Sequence, residues 1–245
     1  MTENRTASLS GKRILLTGGT TGIGRATLKA LAAEGAHILT FGRHQETLDE
    51  ALSDIDGTVK GIVADAATAE GIEQVFAQVD DQLGGIDILV ACAALGAQPI
   101  HEMADADWRY VIDANLTGYL ACARAAILRM EKRGGGHLLF VGSISTEIKA
   151  AGESVYAATK AGIHAFAETL RKEVADKGIR VGVIQPGSVD TEMQECSEEE
   201  KRAAIAEGRM LPAEHVADAI LFMLTRSANC DIVNLRIEPL LQTTG

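Results

Sequence analysis

The chain has 245 residues, a formal net charge of −11 and a hydrophobic share of 47%. That length suits one α/β domain, the apolar content can fill a large core, and the acidity argues against a nucleic-acid partner. The four cysteines (Cys92, Cys122, Cys196, Cys230) form no C-x-x-C pair and the six histidines show no metal-ligand spacing, which speaks against a zinc ribbon, a disulfide framework or another metal site.

Apolar runs alternate with amphipathic ones along the chain. Residues 13–17 (RILLT) read as a buried strand and 22–34 as a helix, followed by a strand at 37–41 (HILTF) and a helix at 45–54. Strands three and four are expected at 59–63 and 87–90, around a helix at 69–83. A long helical pattern covers 103–131, strand five 136–141, a helix 154–176, strand six 180–185, a helix 213–225 and a closing strand 232–237. Strands alternating with helices, several of them apolar throughout, predict a single α/β domain over 1–245. Its core would be a doubly wound parallel sheet of about seven strands with helices on both faces. Residues 188–211 break the rhythm. Long, acidic and weakly helical, they are expected to form a substrate lid, with Glu198, Glu199 and Glu200 on a solvated face. The opening MTENRTASLSGKR has no apolar core of the signal-peptide kind. The most apolar helical run, 119–128, is interrupted by Arg124 and too short for a bilayer. A cytoplasmic protein without a membrane partner is expected.

The first strand runs directly into TGGTTGIG at 17–24 and then a helix. Glycines there permit a tight turn and close backbone approach, while the helix N-terminus offers unpaired N–H groups to a pyrophosphate. Gly18, Thr20, Thr21, Gly22, Ile23 and Gly24 are therefore candidate nucleotide contacts. At the end of strand two, where a carboxylate would favour NAD, the chain has Gly42 and Arg43. Arg43 fits a 2′-phosphate, which makes NADP(H) the expected cofactor over NAD(H), or else a solvated loop arginine. Asp65, after strand three, suits an adenine edge or an ordinary turn.

Tyr156 and Lys160, at i and i+4, share one helix face. An ammonium beside a phenol favours phenolate, so Tyr156 is expected to titrate below its usual ~10 and to exchange a proton with a carbonyl or alcohol oxygen. Ser143, at the end of strand five, is positioned to steady the same oxygen. Cys92 and Cys122 read as small core residues, and Trp108 and Tyr110 as helix packing.

Together, TGGTTGIG, Asp65, Asn115 in NLTG, Ser143, YAATK at 156–160 and PGSVDT at 186–191 resemble the short-chain dehydrogenase/reductase family, in its order and over essentially the whole chain. The resemblance implies a Rossmann-like fold, a nicotinamide cofactor and a catalytic tetrad of Asn115, Ser143, Tyr156 and Lys160. Asn115 would hold a water that links the lysine to solvent, and Lys160 would also bind the nicotinamide ribose. It further implies cofactor contacts from Ala66, Ala91, Pro186, Gly187, Val189 and Thr191, and a homo-oligomer, tetramer or dimer. Small residues on two helices (Ala121, Ala125, Ala158, Gly162, Ala165) suit close helix approach. Two departures stand out. Ala91-Cys92-Ala93-Ala94 replaces the family's Asn-Asn-Ala-Gly, which should reduce local rigidity. The tail ends strand-Pro-x-x-Gln, without the Gly-rich tail common among family oligomers.

The expected reaction is hydride transfer between NADP(H) and the carbonyl or alcohol carbon of a small substrate. Its pocket would be formed by 94–98, 145–153 and 188–211, where Glu147, Lys149, Glu153 and Gln194 favour a polar alcohol. Nucleotide-sugar epimerases or dehydratases with a similar Y-x-x-x-K need a further substrate domain, for which 245 residues leave no room. A catalytically idle nicotinamide sensor is the other alternative.

Overall fold

Residues 13–17 alternate their side chains between two apolar faces, as a strand covered on both sides must. Ile14 and Leu16 join one buried cluster while Leu15 joins the other. The structure, a computed structural model, describes residues 7–194 and 196–242. The ends of the expected 1–245 domain and Glu195 of the expected lid therefore lie outside the described residues. Along the chain run β1 (Arg13–Thr17), α1 (Gly22–Ala33), β2 (His37–Gly42), α2 (Gln45–Ser53), β3 (Val59–Val63), α3 (Ala69–Gln78), β4 (Ile88–Ala91) and α4 (Asp105–Ile112). There follow α5 (Gly118–Met130), β5 (Gly136–Val141), α6 (Ser145–Ile148), α7 (Ser154–Val174), β6 (Ile179–Pro186), α8 (Glu198–Ala206), α9 (Ala213–Leu224) and β7 (Asn234–Ile237).

Among the described residues the strands form one seven-stranded sheet in the order β3-β2-β1-β4-β5-β6-β7, with every neighbouring pair parallel. This is the doubly wound, Rossmann-like α/β architecture. One core cluster sets Leu15, Leu39, Leu89 and Leu138 against Val75 of α3, Ala126 of α5 and Ile163 of α7. On the other face Ile14, Leu16, Ile38, Val90 and Leu139 meet Leu28 and Leu31 of α1 and Val216 and Ile220 of α9. The strand order reverses between β1 and β4, and such a reversal opens a crevice beyond the carboxyl ends of the strands.

Two segments differ from the sequence reading. The helix expected over 103–131 is α4 and α5 joined by a single π turn, Asp113–Thr117, which carries Asn115. An extra residue in one helical turn rotates the downstream helix without ending the apolar pattern, so periodicity passes over it. The whole run Asp105–Arg133, unlike the apolar stretch 119–128 taken alone, meets the length and hydropathy of a membrane span. Its apolar side, including Tyr119, Cys122, Ala123, Ala126 and Met130, is packed on the sheet. Finally, the segment read as weakly helical contains α8, whose Ser197 cap accepts from the Glu200 N–H while the Glu200 carboxylate accepts from the Ser197 N–H.

Candidate active site

A cavity of about 830 Å³ occupies the crevice at the strand-order reversal. At its floor β1 ends in Thr17, whose hydroxyl accepts from the backbone N–H groups of Cys92 and Ala93, 3.0 Å each. Gly18 follows at φ +67°, and a Cβ there would lie 2.6 Å from the Ala93 Cα, so the loop after β1 and the loop after β4 touch backbone to backbone. Thr20, Thr21, Gly22, Ile23 and Gly24 line the cavity where α1 begins. The N-cap Thr21 makes no side-chain capping bond and the first turn holds no acidic residue. The N–H groups of that turn thus face a cavity without a capping side chain, which suits an anionic pyrophosphate.

The far end of the cavity is formed by Arg43 after β2, Asp65 and Ala66 after β3, and Tyr110 from α4. Tyr110 is a correction to the sequence reading: it does not merely pack a helix. Its hydroxyl donates to Asp65 Oδ2 at 2.7 Å and accepts from Arg43 Nη1 at 3.3 Å. Gly42 also has a packing role, since a Cβ there would come within 2.6 Å of the Thr20 methyl. Thr20 therefore fills the space from which a carboxylate after β2 would project.

On the opposite wall stand Ser143, Ser145, Glu153, Tyr156 and Lys160. Ser143 stands two residues beyond the end of β5, and its Oγ accepts from the Ser145 N–H at 3.1 Å. From Ser143 a hydroxyl chain runs to Ser145 Oγ (3.1 Å) and on to Glu153 Oε2 (2.9 Å). The Ser143 hydroxyl lies close enough to Tyr156 to favour its ionised form. Lys160 is 1% exposed, its Nζ donating to the Val141 carbonyl at 2.8 Å and lying 5.3 and 5.5 Å from the ring centroids of Tyr119 and Tyr156. The expected lowering of the Tyr156 pKa does not occur. Burial pushes the phenol up to about 12, while Ser143 offsets part of that rise. Burial also takes Lys160 down to about 8. The physical reason is that the ammonium lies over the ring rather than at the phenol oxygen, so loss of hydration outweighs its field.

Pro186 at the end of β6 and Gly187 after it border the cavity, joined by Val189, Thr191, Glu192, Met193 and Gln194 from the insertion. The insertion is closed at its base, where Asp190 N–H donates to Leu211 O and Leu211 N–H to Ser188 O, both 2.9 Å. Lys201 of α8 pairs with Asp190 at 3.3 Å.

Four candidates stand off the wall: Glu147 and Lys149 of the expected substrate pocket, whose neighbours Ile148 and Ala150 line the cavity instead, and Ala91 and Asn115. Ala91 is fully buried in β4, and Cys92, Ala93 and Ala94 line the cavity in its stead. Asn115 is fully buried behind it, where its carboxamide accepts from the Leu95 N–H and donates to the Leu95 carbonyl, 2.7 Å each. With Thr17 at one end and Asn115 at the other, the Ala-Cys-Ala-Ala segment is clamped despite lacking side-chain amides. Gln242, which the sequence reading did not assign, also reaches the cavity, and its Oε1 accepts from the Ser188 N–H at 2.8 Å.

The family described as short chain dehydrogenase matches residues 12–202. An oxidoreductase from Staphylococcus epidermidis is 32% identical over 234 residues, covering 95% of this chain and 99% of that one. A 3-oxoacyl-acyl-carrier-protein reductase from Escherichia coli is 32% identical over 227 residues, covering 90% and 93%. Among solved structures, L-sorbose reductase from Gluconobacter frateurii, complexed with NADPH and L-sorbose, superposes with a TM-score of 0.85 at 28% identity, covering 96% and 98%.

Proposed function

The chain belongs to the short chain dehydrogenase family, an oxidoreductase acting on carbonyl or alcohol groups, and from that premise we propose that it reduces a small polyhydroxylated carbonyl compound with NADPH, using Tyr156 as the proton donor. The observation that carries this reading is convergence: Ser143, Tyr156 and Lys160 border the same cavity as the uncapped N-terminus of α1.

The residues present fit a nicotinamide cofactor. Backbone N–H groups of residues 21–24 would take the pyrophosphate, Asp65 and Ala66 the adenine end, and Pro186, Gly187, Val189 and Thr191 the nicotinamide end. When bound, the cofactor supplies a hydride to the carbonyl carbon or accepts one from the alcohol. Tyr156 keeps its proton across the neutral range and gives it to the carbonyl oxygen as negative charge develops there. Ser143, held by the Ser145 N–H, lies beside the Tyr156 oxygen and can share that charge. Lys160, cationic below about pH 8, stabilises the phenolate left behind. Asn115 keeps the Leu95 backbone in place behind the site.

Preference for NADPH is supported by Arg43 at the cavity mouth and by the absence of a carboxylate at Gly42. A polyhydroxylated substrate is supported by the hydroxyl and carboxylate of Ser145 and Glu153, by Gln194 on the wall, and by the sorbose-bound neighbour. The insertion at 188–211 serves as the lid in this reading, because residues 191–194 border the cavity and its base is pinned. A cytoplasmic setting is supported by free Cys92, Cys122, Cys196 and Cys230. A homo-oligomer is supported by the outward Ala158 and Ala165 of α7 and by Leu120 and Leu128 of α5, which are 36% and 45% exposed. Of the other small residues, Ala121 and Ala125 pack on the chain's own core and Gly162 on Leu116.

The test is a spectrophotometric screen of NADPH and NADH oxidation against ketoses, simple ketones, hydroxy-acid precursors and a 3-oxoacyl thioester. Turnover of a ketose with NADPH supports the reading, and preference for the thioester overturns the substrate class. Tight cofactor binding with no turnover across the panel overturns the enzyme in favour of a sensor.

A further inference from the structure

Tyr110 is the one side chain that links the ends of β2 and β3 at the adenosine end of the cavity, among the described residues. It projects from α4 and is half-buried. Its hydroxyl donates at 2.7 Å to Asp65 Oδ2, and Asp65 is fixed in turn because Oδ1 accepts from the Ala67 N–H at 2.9 Å. Burial and the Asp65 carboxylate both hold the phenol above its ordinary pKa, so the proton stays on Tyr110 and points at Asp65. The oxygen lone pairs are then free to accept, and Arg43 Nη1 donates to them at 3.3 Å, with its guanidinium 5.9 Å from the ring centroid.

We propose that Tyr110 is a specificity-positioning residue, which holds Arg43 in place for a 2′-phosphate and thereby sets the preference for phosphorylated over unphosphorylated adenosine ribose. The proposal rests on the reading that Arg43 meets that phosphate. Arg43 is exposed and has no other hydrogen-bonded partner among the described residues. A free arginine at a surface gives up rotamer entropy when it clamps an anion. Tethering one Nη to Tyr110 removes part of that loss beforehand, and leaves Nε and Nη2 available to fork onto phosphate oxygens. The tether also explains how a single arginine could suffice where the glycine loop offers Thr20 and Thr21 and no second basic residue.

The test separates this role from general damage to the site. Adenosine 2′,5′-bisphosphate and adenosine 5′-monophosphate are titrated calorimetrically into the wild type, Arg43→Ala and Tyr110→Phe, and the ratio of the two affinities is the readout. A packing defect weakens both ligands together and leaves the ratio unchanged, whereas loss of the tether affects only the 2′-phosphate. The ratio should favour the bisphosphate in the wild type, collapse in Arg43→Ala, and fall about 3- to 10-fold in Tyr110→Phe, the scale of one ordinary hydrogen bond. An unchanged ratio in Tyr110→Phe with a collapsed ratio in Arg43→Ala overturns the positioning role alone. An unchanged ratio in both variants overturns the Arg43 reading as well.

Discussion

The Lys160 Nζ lies 5.5 Å from the centroid of the Tyr156 ring and donates its short hydrogen bond to the Val141 carbonyl, not to the phenol oxygen. At rest the pair is therefore not a phenolate–ammonium couple, which arises only once Tyr156 has given up its proton. It is a half-buried neutral acid beside a cation whose own pKa has fallen to about 8.

This arrangement sets opposite pH dependences for the two directions of reaction. Reduction needs the proton on Tyr156, which stays bound far above neutrality, so reductive kcat/KM should be flat from about pH 6 to about pH 7 and be halved at about pH 8. The decline comes as Lys160 loses the charge that stabilises the phenolate. Oxidation needs an unprotonated Tyr156 and should keep rising with pH beyond about 9. An oxidative profile that reaches its plateau below neutrality would mean a depressed tyrosine pKa.

Asn115 is expected to matter for stability as well as for turnover. Replacing it by Leu keeps the volume but leaves the Leu95 N–H and carbonyl without partners in a part-buried position. The loss should be about 2–4 kcal/mol by urea denaturation, since two bonds disappear and two backbone groups stay desolvated. A variant as stable as the wild type would show that the clamp is not needed.

His137 makes folding stability acid-sensitive. It is 2% exposed in β5, neither ring nitrogen has a partner among the described residues, and burial takes its pKa down to about 3, with Arg180 opposite in β6 adding to the shift. The unfolded chain binds a proton near pH 6.5 that the folded chain refuses. Stability from this group is therefore complete above about pH 6.5 and is lost as pH falls towards about 3, by about 2 kcal/mol at about pH 5. His137→Leu should flatten the decline of Tm between about pH 7.5 and about pH 5. An identical decline in the variant would place the acid sensitivity elsewhere.

Hydrogen exchange should resolve the insertion into two parts. Asp190 and Leu211 hold its base through backbone hydrogen bonds and should be protected with or without ligand. Residues 191–194 and α8 should gain protection only when NADPH and substrate are both present. Equal protection in both states would contradict a lid.

The sheet was legible because its strands are apolar runs bounded by loops, and all seven were found to within a few residues of their observed ends. That the glycine loop, Ser143, Tyr156 and Lys160 would meet in one cavity was legible from their joint placement at strand ends and on one helix face, read together with the family resemblance. Other features lay beyond spacing. The π turn at Asp113–Thr117 inserts one residue without interrupting the apolar pattern. Tyr110 looked like any aromatic on an amphipathic helix, because its partners Asp65 and Arg43 are brought to it only by the sheet. The rise in the Tyr156 pKa comes from burial, which motif spacing does not report. One missed element did carry a signal, the Ser197-x-x-Glu200 capping box that opens α8.

The most direct test of the central claim is the turnover of Tyr156→Phe with NADPH and the best carbonyl substrate from the screen, measured beside the wild type. The variant keeps the ring and its packing and removes only the transferable proton. The account predicts a fall in kcat of at least ~10²-fold with NADPH affinity nearly unchanged. Turnover close to that of the wild type would contradict it.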